Sequence, residues 1–234
     1  MARALRINLR GGWYHVTTRG TERRAIFGEE AEYLHCLDLI GEMAARFRVR
    51  IHAYVLLANH AHLVMETPDG NWSAAMQWLS TSYAMWFNRR TGRVGPLFQG
   101  RYKAILFEGR TEAWPVTRYV HLNPVRVKGL ELGKGQRQAE AKGLCEVAPE
   151  ILQRRRQVLK DYRWSSYPFY AGWQPVPEWV QVEGVLAGQQ AGRVKTQRKR
   201  GHIVTSNKAV AGKAGVGYCR RHDETLESGY RGRH

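Results

Sequence analysis

Two histidines, His60 and His62, have the type and spacing that suit chemistry on a β-strand. They follow an apolar run over residues 54–57, which is typical of a strand. Because side chains alternate between the two faces of a strand, both imidazoles are expected on one face. Two imidazoles held by a sheet supply half of a metal site. Taken alone, His-x-His is a weak motif, and two surface or core histidines are the simpler interpretation.

A tyrosine and an asparagine further along the chain offer complementary chemistry. Tyr119 and Asn123 are four residues apart and share a helical face if one helix reaches both. A tyrosine hydroxyl can attack a phosphodiester, although a phenol with a pKa of about 10 needs help at neutral pH. A divalent cation on His60 and His62 would neutralise the scissile phosphate, and the Asn123 oxygen would complete the protein ligands. Nitrogen and oxygen ligands without thiolate suit Mg²⁺ or Mn²⁺.

Structural interpretations of the same residues remain open. Tyr119 can be a core tyrosine, and Asn123 precedes a proline, so it can simply end the helix. His15 and His52 are interpreted as strand residues rather than ligands. His121 lies two residues from Tyr119 and points elsewhere on the helix, so it receives no role.

The elements that must position these residues follow one another in an informative order. Strand, helix, strand, strand, helix and strand patterns cover residues 13–18, 33–47, 49–57, 60–66, 72–90 and 101–107. This order predicts an α+β, ferredoxin-like βαββαβ fold with two helices on one side of a four-stranded antiparallel sheet. The other side is expected to be free, a face that many nucleic-acid binders use. A third helix over 112–123 would carry Tyr119.

The composition indicates a polyanionic partner. The chain has 234 residues, 43% of them hydrophobic, and eight tryptophans, so it can build a substantial core. Its net charge of +17 favours nucleic acid first and an anionic membrane surface second. Neither a basic amphipathic helix with a clean apolar face nor a long apolar run supports the membrane alternative.

The cysteines and the first residues of the chain indicate the cellular compartment. Three cysteines lie far apart and form no C-x-x-C pair, which argues against a disulfide framework and fits a reducing compartment. Residues 1–6 contain no apolar core, so no secretory signal is expected. We therefore expect a cytoplasmic, nucleoid-associated protein.

Changes in composition divide the chain into three parts. Residues 1–130 are expected to form the domain that holds the site. Residues 131–186 are expected to hold a basic insertion, with a loop and a basic helix, and an aromatic segment that packs on the core. Residues 187–234 contain eleven Lys or Arg against three Asp or Glu and few large apolar residues, which predicts a basic, flexible tail.

Four ordered motifs carry a resemblance to a known family. They are His60-Ala61-His62, Phe98-Gln99-Gly100-Arg101-Tyr102-Lys103, Arg118-Tyr119-Val120-His121-Leu122-Asn123-Pro124-Val125-Arg126 and Tyr162-Arg163-Trp164-Ser165-Ser166-Tyr167. Together they resemble the REP-associated tyrosine transposases, which are single-tyrosine HUH nucleases similar to small insertion-sequence transposases. The resemblance covers about residues 12–186, and four motifs in order make chance a poor explanation.

The resemblance implies a metal-dependent endonuclease and strand transferase that acts on single-stranded DNA near imperfect palindromic hairpins. It also implies a 5′-phosphotyrosine intermediate and a freed 3′-hydroxyl. By position, His60 and His62 match the family's metal histidines, Tyr119 its nucleophile and Asn123 the third-ligand place. Five cations are candidates for DNA contact, although each can also be a solvated surface charge. They are Arg19, Arg101, Lys103, Arg118 and Arg126.

Departures from the family pattern leave alternatives open. Ala61 is smaller than the usual bulky apolar residue, the link over 131–160 is longer than usual, and no match follows Leu186. One alternative is a catalytically inactive nucleic-acid-binding module on the same fold. A hydrolytic metalloenzyme ranks last because no separate base lies near the histidines. A monomer, slightly favoured over a dimer, requires Tyr119 to serve its own His pair, whereas a dimer could exchange the helix.

Overall fold

A single antiparallel sheet organises the structure, a computed structural model that describes residues 7–126, 130 and 147–187. Its strands are β1 Gly12–Arg19, β2 Arg50–Leu57, β3 His60–Thr67 and β4 Lys103–Phe107. The helices are α1 Glu30–Phe47, α2 Trp72–Thr91, α3 Gly109–His121, α4 Pro149–Asp161 and the short α5 Tyr167–Tyr170. The strand order is β2-β3-β1-β4. This confirms the predicted ferredoxin-like arrangement and the alternation of elements.

One face of the sheet forms the larger core with α1 and α2. Alternate residues of β1 and β3, among them Val16 and Leu63, are buried in this cluster. Helix α1 begins with a capping box, in which the Glu32 carboxylate accepts the Glu29 backbone N–H at 3.0 Å. It ends at Arg48, whose left-handed φ of 52° turns the chain towards β2.

The sequence led us to expect that the opposite face of the sheet would be free. It is covered in part, because α3 lies across it. Trp13, Val64, Val116 and Val120 are buried together between α3 and the sheet. Burying these side chains contributes about 1.5–3 kcal/mol for each large one, which outweighs leaving an apolar sheet surface exposed. Helix α3 begins at Gly109 rather than 112 and ends at His121 rather than 123. The face therefore divides into a covered apolar part and a polar part near the start of β3.

The outer edge of β2 is covered by the segment that follows α4. The Leu56 N–H donates to the Trp164 carbonyl at 2.8 Å, and the Ser166 N–H donates to the Tyr54 carbonyl at 3.1 Å. Trp164 also stacks on Tyr33 of α1 with ring centroids 4.4 Å apart. These bonds satisfy backbone groups that an open edge strand would expose.

The division into 1–130, 131–186 and 187–234 stays a prediction. The basic helix expected before residue 160 is present as α4. Residues 131–146 and 188–234, which include nearly all of the tail predicted to be flexible, lie outside the described residues. Among the helices of the described ranges, none has the length and apolarity needed to cross a bilayer.

A small cavity of about 20 Å³ lies between the sheet and the helices α1 and α2. Ala61, the residue between the paired histidines, lines it together with Thr18, Leu56, Tyr83 and Phe98. Ala61 is itself buried and faces this core, so the two histidines face the other side of β3. The small residue noted in the sequence therefore leaves space in the core and does not alter the histidine face.

We expect Ala61→Val to stabilise the protein by about 0.5–1 kcal/mol, because the added methyl groups fill the cavity and valine suits a strand. Thermal unfolding should show a midpoint about 2 °C higher than that of the parent chain. Leu63→Val, which removes a methylene from the same face, serves as the control and should lower the midpoint. A lower midpoint for Ala61→Val would mean that the cavity cannot accept the side chain.

Candidate active site

The His60 and His62 side chains lie on the sheet face that carries α3. In the pairing of β1 with β3, His60 is opposite Arg19 and His62 is opposite Thr17. The imidazole centroids of His60 and His62 are 5.1 Å apart, and the rings are nearly perpendicular. The two-residue spacing thus places both imidazoles side by side, as the alternation of a strand requires.

Helix α3 brings Tyr119 to the histidines of the same chain. The Tyr119 ring centroid is 5.9 Å from that of His62 and 5.6 Å from that of His15, with near-perpendicular ring planes. The Arg126 guanidinium carbon lies 3.8 Å from the Tyr119 ring centroid, the geometry of a cation–π contact. The Tyr119 ring thus contacts the histidines and Arg126 of its own chain.

His15, interpreted from the sequence as an ordinary strand residue, belongs to this cluster. Its Nε2 lies 2.9 Å from His62 Nδ1, and Thr17 Oγ1 lies 3.1 Å from the same nitrogen. The predicted topology could have indicated that His15 lies near the His pair, because the ferredoxin-like order pairs β1 with β3 in the centre of the sheet. Residues of β1 spaced by two must then lie beside the His pair. His52, which the sequence analysis also interpreted as a strand residue, hydrogen-bonds to Glu66 and to the Gln181 carbonyl, away from the site.

Asn59 orients the His60 ring. Asn59 Nδ2 donates to the Arg23 carbonyl at 3.1 Å, so its Oδ1 faces His60. His60 Nδ1 lies 2.6 Å from that Oδ1. Because an amide oxygen only accepts, the hydrogen must be on His60 Nδ1, which leaves the Nε2 lone pair for a cation.

Asn123 lies just beyond α3 rather than in it. It begins a 3-10 turn, Asn123–Val125, and its Nδ2 donates to the carbonyls of Tyr119 at 3.0 Å and Val120 at 3.2 Å. The amide nitrogen therefore caps the helix that carries the tyrosine. Its oxygen, the atom of the amide able to bind a cation, is the end that these carbonyls do not engage.

The histidines are held in the neutral form. Burial, with a smaller contribution from Arg126, lowers the pKa of His15 from 6.5 to about 4. Burial, followed by the charge of Arg19, lowers the pKa of His60 to about 4. Burial and the neighbouring His15 and His60 lower the pKa of His62 well below 6.5. Neutral imidazole is the form that ligates metals, so these shifts favour cation binding near neutral pH.

The donor set fits a divalent cation with an incomplete protein shell. Over the ranges that the structure describes, no group of three or more His, Cys, Asp or Glu side chains is arranged to hold a metal. A cation here would bind His60 and His62 and complete its coordination with the Asn123 oxygen, phosphate oxygens or water. An open shell of this kind leaves positions for a substrate.

The five candidate cations are placed differently with respect to the site. Arg19 ends β1 opposite His60, Lys103 begins β4 opposite Thr17, and Arg126 lies over Tyr119. Arg118 precedes Tyr119 on α3, and Arg101 is exposed just before β4. The fold thus gathers Arg19, Lys103 and Arg126 near the histidines. Their contact with DNA stays a prediction.

The buried neutral histidines predict that acid destabilises the fold. The pKa of His15 falls from 6.5 to about 4, and that of His121 falls to about 3 because of burial. Between these values and 6.5 the unfolded chain binds more protons. Stability is therefore fully present above pH 6.5 and falls with acidification, by up to about 1.4 kcal/mol per pH unit for each such histidine.

Thermal unfolding of the metal-free protein at a series of pH values measures this slope. His15→Asn should reduce it by about one proton below pH 6.5. An unchanged slope in the variant would show that His15 does not contribute to the acid sensitivity.

Comparison with solved structures identifies the fold. A REP-associated tyrosine transposase bound to a REP hairpin is 17% identical, with a TM-score of 0.51 over 78% of this chain and 93% of that one. A putative transposase from Deinococcus radiodurans is 16% identical, and the match covers 46% of this chain and 87% of that one. Its TM-score is 0.36. No curated protein sequence matches the chain significantly.

The family comparison covers the part of the chain that builds the site. The model of the family described as "Transposase IS200 like" matches residues 9–123. This range contains all four strands, α1 to α3, the His pair, Tyr119 and Asn123. Residues 9–123 of the chain are therefore similar to the IS200-like transposases.

Proposed function

We propose that this protein is a metal-dependent endonuclease and strand transferase of single-stranded DNA that acts at REP-type hairpins. The observation that carries the proposal is the position of Tyr119 beside His62, with ring centroids 5.9 Å apart in one chain. The match of residues 9–123 to the IS200-like transposase family supports DNA processing, and the His pair with an adjacent tyrosine supplies the groups for phosphodiester chemistry.

Binding would rely on the charge of the chain and on the cations near the site. A net charge of +17 raises the local concentration of DNA and speeds its arrival. Arg19 and Lys103 flank the histidine pair across the strands β3, β1 and β4. We infer that they contact the phosphates on either side of the cleaved bond. Such an encounter would place the protein with the nucleoid in the cytoplasm.

Cleavage would be a transesterification at phosphorus. The Tyr119 oxygen forms a bond to the phosphorus and loses its proton, the bond from phosphorus to the 3′-oxygen breaks, and that oxygen leaves as a hydroxyl after taking up a proton. When bound by His60 and His62, a divalent cation, Mg²⁺ or Mn²⁺, would offset the charge that develops on the phosphate oxygens. The 5′-phosphotyrosine has about the energy of the bond it replaces, so another 3′-hydroxyl can reverse the step.

The chain's own residues would mainly fix geometry. Arg126 over the ring and His15 at its edge restrict the rotation of Tyr119, and Asn123 caps the helix behind it. Asn59 fixes the orientation of His60. Well-oriented groups of this kind replace the entropy cost of a bimolecular encounter. The arrangement within one chain supports a monomer as the active unit.

Tyr119→Phe should abolish the covalent adduct between the protein and a 3′-labelled hairpin substrate, because phenylalanine lacks the attacking oxygen. Hairpin affinity in a gel-shift assay should persist, since the ring and its contact with Arg126 remain. Tyr33→Phe, a change on α1 remote from the His pair, is the matched control. Adduct formation by Tyr119→Phe would assign the nucleophile to another residue. Tight hairpin binding without an adduct from the parent chain, under any divalent ion, would instead favour an inactive binding module.

His60→Ala should weaken Mn²⁺ binding by at least about tenfold, because it removes one of two imidazole ligands. Isothermal titration calorimetry on the DNA-free protein measures this without reference to activity. The control His35→Ala removes an imidazole on α1 that stacks on Trp86. Equal Mn²⁺ affinity in His60→Ala and the parent chain would exclude His60 as a ligand.

Mixing His60→Ala with Tyr119→Phe tests whether the site is complete in one chain. No adduct should form in the mixture if each Tyr119 serves its own His pair. Recovered activity would mean that partners exchange α3.

A further inference from the structure

We propose that the contact between His121 and Ser166 positions the helix that carries Tyr119, so that the aromatic motif after α4 acts on cleavage through α3. This inference rests on the proposed function and deepens it. It assigns a role to the motif Tyr162–Tyr167, which lies outside the residues matched by the family model. Both residues are positioning residues, because neither touches the His pair or the attacking oxygen in the contacts described above.

The Ser166 hydroxyl lies where three parts of the chain meet. It accepts the Tyr54 N–H of β2 at 2.9 Å and lies 3.3 Å from the Tyr54 carbonyl. His121 Nε2 lies 2.7 Å from the same oxygen. Ser166 and His121 are both buried, so a broken bond would not be replaced easily by water.

A hydroxyl has one hydrogen to donate and two lone pairs, which limits how this group can be satisfied. If His121 carries its hydrogen on Nε2, Ser166 Oγ accepts from Tyr54 and from His121 and donates to the Tyr54 carbonyl. All three positions of the hydroxyl are then used.

Tyrosines from the same segment enclose the His121 ring. The centroids of Tyr167 and Tyr170 are 5.6 and 4.9 Å from that of His121, both in edge arrangements. The Tyr170 hydroxyl donates to the His52 carbonyl of β2 at 2.8 Å. The last residue of α3 is therefore held in a cage that is itself bonded to the sheet.

The geometry of α3 links this cage to the nucleophile. His121 and Tyr119 are two positions apart, about 200° around a helix, so they project to opposite sides. Tyr119 faces the His pair while His121 faces the β2 edge. Movement of the helix end would thus displace the attacking oxygen, and a misplacement of about 1 Å can cost about 100-fold in rate.

The test compares Ser166→Ala with Ser165→Ala. Both serines are buried, but Ser165 Oγ accepts the local Tyr167 N–H at 3.0 Å and, within the part of the chain that the structure describes, makes no hydrogen bond to α3. Ser166→Ala should slow single-turnover adduct formation by about 10- to 100-fold while hairpin affinity is kept. Ser165→Ala should lose comparable thermal stability and keep its rate. Equal rate losses in the two variants would overturn the proposal.

Two further variants separate positioning from a general loss of stability. Ser166→Thr keeps the hydroxyl and should restore most of the rate. His121→Phe keeps an aromatic ring without the N–H, and its rate loss should not add to that of Ser166→Ala. Additive losses would show that the two residues act independently and would contradict the inference.

A readout independent of cleavage covers the case in which the parent chain forms no adduct. In protein labelled with 3-fluorotyrosine, ¹⁹F NMR identifies the Tyr119 signal by its absence in Tyr119→Phe. Ser166→Ala should shift or broaden this signal, and Ser165→Ala should not. No adduct from the parent chain would then refute the proposed function alone, whereas an unperturbed Tyr119 signal in Ser166→Ala would refute the positioning contact.

Discussion

The register between β1 and β3 is the constraint on which the site depends. It places Thr17 opposite His62 and Arg19 opposite His60 at the centre of the sheet. A slip of one residue would turn His60 and His62 into the apolar core and bring Ala61 to the polar face. Buried Val64 on one side and Leu63 on the other make that slip costly. The packing of apolar side chains thus determines which face carries the chemistry.

Burial has a second effect at this site. Imidazoles that are taken out of water favour the neutral form, and nearby guanidinium groups add to the preference. A surface that attracts DNA through positive charge therefore keeps uncharged histidines at its centre. The two properties are compatible, since the cations lie around the His pair and the imidazoles lie under α3.

Much of the fold could be predicted because its signals are local. Alternation in the strands and the spacing of apolar residues in α1 and α2 gave the order of elements, and β1 to β4 were found near the expected bounds. The covered face was missed because α3 docks through Val116 and Val120 at a distance in sequence. The His15 contact and the Asn123 cap depend on side-chain geometry that spacing alone does not encode. Tyr119 beside the His pair could be anticipated only because a recurring motif linked residues that folding brings together.

The covered edge of β2 shows that the family match ends earlier in the chain than the residues that complete the sheet. The similarity to the transposase family ends at residue 123, yet Leu56 and Tyr54 of the central sheet pair with residues 164 and 166. A polypeptide ending near residue 130 would keep the recognisable signature and leave an apolar strand edge open to other chains. Its hazard would be self-association rather than loss of the motif. The stretch that matches the family is thus shorter than the part of the chain that packs on the sheet. A gene rearrangement that moved this stretch would also have to move the segment around residues 164–166.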